Sequence, residues 1–302
     1  MGREALLSCD NPAWMAAGDR LSRRAFLAAA GAAPLASALG EAGASPARKK
    51  VPVGLGMYTL KDEEQRDRMA TLRAVARMGY EGVEFWGPYF EWTVAYASEV
   101  KALLDELGLA CYSTHTRAAY WSDESFPHAI ELNQALGSRY VVMDHAPESD
   151  TLEGWKRNAA LLTKGYETLR PLGIGAALHN WTTEWRLVEG VRPIDFLAAN
   201  TPPGFAFQID LGTALGERGD PVGFIEANPG RVKSYHLKDW SPDRTKRGLL
   251  LGEGEAPWAR IFEAAETKGG VEYYLVEQEG SRFTPLETAE RSLKIFRELH
   301  GS

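Results

Sequence analysis

Val232-Lys233-Ser234-Tyr235-His236-Leu237-Lys238-Asp239 opens on a short stretch that carries a β-branched and an aromatic residue, Val232 and Tyr235, and ends in a cluster of ionisable groups. Such a run reads as a buried strand that delivers its chemistry at the C-terminal end. The same pattern holds on either side. Upstream, residues 205–210 close on Asp210, and downstream, residues 273–277 close on Glu277. Extended along the chain, the pattern predicts eight strands, at 51–57, 82–86, 110–115, 140–144, 174–179, 205–210, 232–236 and 273–277.

Between these strands, apolar residues recur at spacings of three and four, as in Met69, Leu72, Val75 and Ala76, or Ile261, Ala264 and Ala265. That is the period of a helix burying one face. Gly79, Gly108, Gly173 and Gly270 stand where helices return to strands. Eight βα units in about 250 residues predict an α/β fold of the (β/α)8 TIM-barrel type, a single domain over 51–302. A doubly wound open sheet is the competing architecture, but no G-x-G-x-x-G follows the first strand to support a dinucleotide site.

The 302-residue chain is 44% hydrophobic and 25% charged, which excludes disordered, collagen-like and coiled-coil classes. Its net charge of -7 understates the acidity of the barrel. Residues 1–50 hold seven Lys or Arg against four Asp or Glu, leaving the remainder at -10. An acidic body argues against nucleic acid or an anionic membrane as partner. Cys9 lies near the N-terminus and Cys111 alone in the body, so the processed chain has no intrachain disulfide.

Ser22-Arg23-Arg24-Ala25-Phe26-Leu27 resembles a twin-arginine export signal, followed by an Ala-rich stretch from Ala25 to Leu39 that is too short to span a bilayer. Ala42-Gly43-Ala44 offers a small-residue cleavage pattern, with Ser45-Pro46-Ala47 as the alternative. Residues 1–45 are therefore read as signal peptide and linker. The expectation is twin-arginine export to the periplasm or beyond, with no stable membrane span after processing. A disordered tail with a chance arginine pair and a retained anchor are the competing readings.

An ionisable group inside a buried strand is costly unless paired or metal-bound. Here such groups collect at strand ends: Glu84, His115, Asp144-His145, His179-Asn180, Asp210, His236 to Asp239, and Glu277-Gln278-Glu279. Four of the six histidines fall there. His179, Asp210, His236 and Glu277 come from four consecutive strands, an N2O2 set suited to one divalent cation such as Mn, Zn, Fe, Co or Mg. The competing reading makes each a satisfied residue closing a βα loop. His128 and His300 fall in helical segments and are read as surface residues.

With these residues the body, from Val51 to Leu299, resembles the sugar phosphate isomerase/epimerase family of xylose-isomerase-like TIM barrels. The matching segments are Gly82-Val83-Glu84-Phe85-Trp86, Phe207-Gln208-Ile209-Asp210, Ser234 to Asp239, Leu275-Val276-Glu277-Gln278 and the loop Leu251-Gly252-Glu253-Gly254-Glu255. The resemblance implies one metal at the barrel mouth, held by His179, Asp210, His236 and Glu277. Family epimerases place a Glu at the strand-five position. This chain has His179 there, with Glu184 five residues beyond.

That departure bears on the reaction. Epimerisation or ketose–aldose exchange through an enediolate is served by two opposed acid/base groups. Proton abstraction beside a ketone, followed by loss of a β-substituent, needs only one base and one acid. Glu277 is the candidate base and ligand, with Lys238, His145 or His115 as donors to the leaving or enolate oxygen. Lys238 and Asp239 as rim ion pairs, and His145 as a loop residue, are the bland alternatives. Glu84, Trp86, His115, Asn180, Trp181 and Asp239 are the expected substrate contacts. Trp86 and Trp181 suit the apolar face of a sugar, whereas Trp185 and Trp258 read as packing under long loops.

Phosphate recognition lacks support. There is no Walker loop, no Arg or Lys cluster is read after strands seven and eight, and Gly252 to Glu255 is acidic. Three functions follow. They are a metal-dependent isomerase or epimerase of an unphosphorylated sugar or cyclitol, a keto-sugar dehydratase or 3-keto-glycoside lyase on the same site, and a non-catalytic carbohydrate-binding barrel. A homo-oligomer is compatible with each.

Overall fold

The computed structural model describes residues 50–301 apart from Arg244. The twin-arginine segment and its cleavage sites lie outside the described residues. Eight parallel strands, β1 (Val53–Gly56), β2 (Gly82–Phe85), β3 (Ala110–Thr116), β4 (Tyr140–Met143), β5 (Gly175–His179), β6 (Ala206–Asp210), β7 (Val232–Leu237) and β8 (Tyr273–Val276), close into a barrel in sequence order. Closure is made by β8 against β1, with Val53 opposite Tyr274 and Leu55 opposite Val276. The expected strands are all present. Asp144 and Glu277 stand one residue past their ladders, where the backbone turns into the mouth.

The intervening helices start where capping residues satisfy their first N–H groups. Asp67, Thr93 and Thr151 accept from Ala70, Tyr96 and Gly154, and Thr284 with Glu287 forms a reciprocal capping box on Pro285–His300. Gly108 and Gly173 end their segments at φ 68 and 72, a left-handed conformation that a side chain disfavours. Leu72, Val75, Val100, Leu104, Ile261 and Phe262 bury the inner helix faces against the strands. Among the described residues no helix is long and apolar enough to cross a membrane.

The N-terminal end of the barrel is filled by aromatic rings. Tyr112 stacks on Tyr273 with centroids 4.7 Å apart, and Tyr140 tilts against Tyr273 at 6.1 Å. Glycines give these rings room: a Cβ on Gly82 would lie 2.4 Å from Tyr112, and one on Gly175 would lie 2.3 Å from Tyr140. Gly82→Ala is expected to cost about 1–3 kcal/mol of stability through overpacking, measured by chemical denaturation. A neutral effect would show that the floor yields.

His300 corrects one sequence reading. It is buried, bonds Glu266 at 2.7 Å and stacks on Phe296, because the last turn of its helix folds over Phe262 and Tyr274. His128 is half-buried on the Phe90 carbonyl.

Candidate functional site

His115 from β3, His179 from β5 and His236 from β7 meet at the C-terminal end of the barrel. The ring centroids of His179 and His236, and of His115 and His179, lie 4.7 Å apart, and His115 stacks on His236 at 5.0 Å. The second nitrogen of each histidine fixes its orientation. His179 Nδ1 donates to the Asp144 carbonyl at 2.8 Å, which turns Nε2 inward. His236 Nε2 donates to Glu84 Oε1 at 2.6 Å, which turns Nδ1 inward. His115 Nε2 lies 2.7 Å from Gln208 Oε1 and donates to it.

Glu84 sits beneath these rings rather than in the mouth. It is 2% exposed, and its other oxygen accepts from Ser113 at 2.5 Å and Gln208 at 2.7 Å. The expected substrate contact is therefore corrected to a buried anchor that orients His236 and His115. Burial works against its charge, but the two histidines more than offset it and hold the carboxyl at about 2. A register shift between Val83 and Glu84 turns the side chain into the barrel.

Asp210 caps the turn after β6 through Oδ1, which accepts from Thr213 N at 2.8 Å. Its Oδ2 faces the centre, 3.7 Å from His179 Nε2 and 3.0 Å from Lys238 Nζ. Glu277 places Oε2 3.2 Å from His236 Nδ1 and Oε1 2.7 Å from Lys238 Nζ. Gly56 makes this position possible, since a Cβ there would lie 2.7 Å from Glu277 Oε2. His179 Nε2, Asp210 Oδ2 and His236 Nδ1 are all buried and make no hydrogen bond of acceptable geometry. Burial lowers the His179 pKa and favours its neutral form.

Two triads bring one donor atom per residue within 4.8 Å: His115, His179 and His236, and Glu84, His236 and Glu277. Of the four residues expected as ligands, His179, His236 and Glu277 are divided between these triads and Asp210 is in neither, its Oδ2 lying 3.7 Å from His179 Nε2. Lys238 is wedged there, bonding Glu279 at 2.9 Å as well as reaching Asp210 and Glu277. Burial opposes its charge, yet the three carboxylates raise its pKa well above the ordinary lysine value. His236 is likewise raised to about 10, with burial outweighed by Glu277 and Glu84. Burial also opposes charge on Glu277, but His236 and Lys238 lower its pKa strongly. Three buried carboxylates thus face one imidazolium and one ammonium. A divalent ion replacing the His236 proton would balance that charge, so the donor set fits a metal.

The mouth above this centre is a cavity of about 590 Å³ walled by Tyr58, Trp86, Arg117, His145 and Trp181. Trp86 is fixed by its Nε1 donating to Glu64 at 2.6 Å. His145 Nδ1 lies 3.2 Å from Asp144 and its ring stacks on Trp181 at 5.1 Å. The Asp144 contact raises the His145 pKa against the effect of burial. Arg117 was missed by sequence reasoning. Its place two residues beyond His115, the period of a strand face, was the available signal.

Two further expectations are corrected. Asp239 takes the N–H groups of Gly252, Gly254 and Ala256 and the Trp258 indole, so its carboxylate organises the loop after β7 instead of facing substrate. Asn180 is fully buried and bridges to the Asp210 backbone, accepting from its N–H at 3.0 Å. Glu184 accepts from Ala146 N and Trp181 N, each at 2.9 Å, and so ties the β4 and β5 loops together. Glu184→Ala is expected to free the His145–Trp181 stack, seen as a red-shifted, more quenchable Trp fluorescence. Unchanged emission would remove this role. Trp185 and Trp258 are packed, as their spacing suggested.

A closed eight-stranded barrel with an acidic, histidine-lined mouth defines a class, and the comparisons agree with it. Residues 72–299 match the xylose isomerase-like TIM barrel, and the chain belongs to that family. A sugar phosphate isomerase/epimerase from Parabacteroides distasonis is similar in structure, at 24% identity over 85% of this chain and 96% of the other, with a TM-score of 0.71. The IolI protein with a bound zinc atom is similar at 13% identity over 83% and 98%, TM-score 0.66. A probable 3-DHS dehydratase, AsbF, from Bacillus anthracis is similar at 11% identity over 81% and 98%, TM-score 0.63. No curated protein matches the chain. At these identities the likenesses speak to fold.

Proposed function

We propose that the protein is a metal-dependent carbohydrate isomerase or epimerase that acts through an enediolate on an unphosphorylated sugar or cyclitol. The observation that carries this is the convergence of three buried atoms, His179 Nε2, Asp210 Oδ2 and His236 Nδ1, which make only ion-pair contacts among themselves, Glu277 and Lys238 and no well-formed hydrogen bond. These four residues would hold one divalent metal. When bound, it would hold neighbouring substrate oxygens and stabilise negative charge developing on them.

The chain's own residues supply the rest. Glu277 and His145 line the same cavity and are the proton carriers, the first as base and the second, backed by Asp144, as its counterpart. Lys238 presents an ammonium to the oxygen that gains charge. Trp86 and Trp181 offer faces to the sugar ring, and His115 a polar edge. Solvent deuterium should enter a substrate carbon when a panel of free and 3-keto sugars is incubated with the metal-loaded protein. Retention of protium throughout the panel would overturn the enzyme reading.

One observation favours a second chemistry. Both oxygens of Glu184 are held by backbone N–H groups, so it does not replace the carboxylate missing at His179. With one carboxylate base, elimination from a keto-sugar or 3-keto-glycoside becomes the simpler reaction, and its sign would be a released alcohol or water. Export by the twin-arginine route is part of the proposal. Replacing Arg23 and Arg24 together by lysine should leave the protein in the cytoplasmic fraction, and undisturbed export would remove that element.

A further inference from the structure

A second cavity of about 520 Å³ adjoins the mouth, and the two share Trp181, Lys238 and Glu279 as lining residues. Trp181 is 52% exposed between them, a large apolar surface left to solvent. An exposed ring at the junction of two cavities is placed to contact both halves of a ligand that spans them.

The lobes differ in charge. The first is walled by Asp144, Glu277 and Glu279 against Arg117, Lys238 and three histidines. In the second, Asp239 is occupied by loop N–H groups and Glu279 by Lys238, whereas Lys246 and Arg247 stand exposed on the wall beside Trp240. Neither basic side chain makes a salt bridge among the described residues. Asp243 accepts from the N–H and hydroxyl of Thr245, and Asp239 accepts from the N–H of Ala256. This basic pair after β7 also corrects the sequence reading that no such cluster was there.

We propose that the protein takes a two-part substrate, a 3-keto-glycoside whose oxidised sugar lies over His179 and Glu277 while a negatively charged second unit lies in the lobe of Trp240, Lys246 and Arg247. This rests on the keto-glycoside reading above and narrows it. A free monosaccharide would leave the second lobe to water, and an acidic protein has little reason to wall it with cations unless the occupant is anionic.

The test uses the metal-loaded full-length protein and 3-keto sugars of gluco, galacto, manno and xylo configuration, each presented free, as the phenyl glycoside and as the 4-carboxyphenyl glycoside. Calorimetric titration should rank the carboxyphenyl form above the phenyl form, and the phenyl form above the free sugar, by about tenfold at each step. In the Lys246→Gln, Arg247→Gln double variant the advantage of carboxyphenyl over phenyl should fall to about one, and raising the salt should erode it in the unaltered protein. Free sugars that bind as tightly as both glycosides would overturn the two-part substrate and leave the carbohydrate reading standing. Glycosides that bind better but without a charge preference would overturn the anionic unit. Failure of every sugar to bind would overturn both readings.

Discussion

Asp210→Ala and His179→Ala protein should emerge from metal loading and desalting without the single equivalent of divalent ion that the unaltered protein is expected to keep. Each substitution removes one of the buried atoms that lacks a hydrogen-bond partner. The loss should exceed that of Glu84→Gln, which leaves every inward atom in place but weakens the hold on His236 Nε2, a class of change that costs roughly 10–100-fold in affinity. Binding should also depend on pH in a defined direction. His236 carries a proton up to about pH 10 in the metal-free protein, so Nδ1 must lose it to bind. Affinity therefore falls as pH drops below that value, and titration near pH 7 should release about one proton per metal bound. Equal metal retention by all three variants, or uptake without proton release, would place the ion elsewhere.

Lys238→Ala should give the largest change in stability and separate catalysis from binding. The ammonium is the nearest cation to Asp210 and Glu277, both buried, and removing one partner of a buried pair costs about 3–5 kcal/mol. The metal-free variant should therefore melt markedly lower, at about 2–4 °C per kcal/mol for a domain of this size. Saturating metal should restore much of that loss, because a divalent ion faces the same carboxylates without competition. Metal affinity should rise while solvent exchange at the substrate carbon is lost. A variant that binds metal more tightly and still exchanges deuterium would remove Lys238 from the chemistry. A variant whose metal affinity falls would show that the lysine supports the ion instead of competing with it.

The barrel was legible because parallel strands buried on both faces leave apolar runs, and every run here but the first carries an ionisable residue at or near its end. His179, Asp210, His236 and Glu277 were read from the same strand ends, and the fold carries all four to the C-terminal end of the barrel, with Asp210 and His236 fully buried there. What the runs could not reveal is side-chain direction. With both faces apolar there is no alternation to say that Glu84 points under the rings, and the register shift that turns it is a property of the β2–β3 pair. Asp239 and Asn180 were misjudged for a related reason. A carboxylate or amide at a strand end is equally suited to substrate and to loop N–H groups, and only the returning path of the 252–256 loop decides between them. Lys246 and Arg247 lie in a stretch without periodicity, so nothing local tied them to a cavity wall.

The tyrosine floor has a kinetic consequence. Tyr112 and Tyr273 are essentially inaccessible and close the end of the barrel opposite the mouth, making the interior a blind well. What binds in the well would therefore enter and leave on the mouth side. Arrival of a new molecule and departure of the old one are then mutually exclusive, so product should inhibit in strict competition with substrate, and viscosity should slow both passages together.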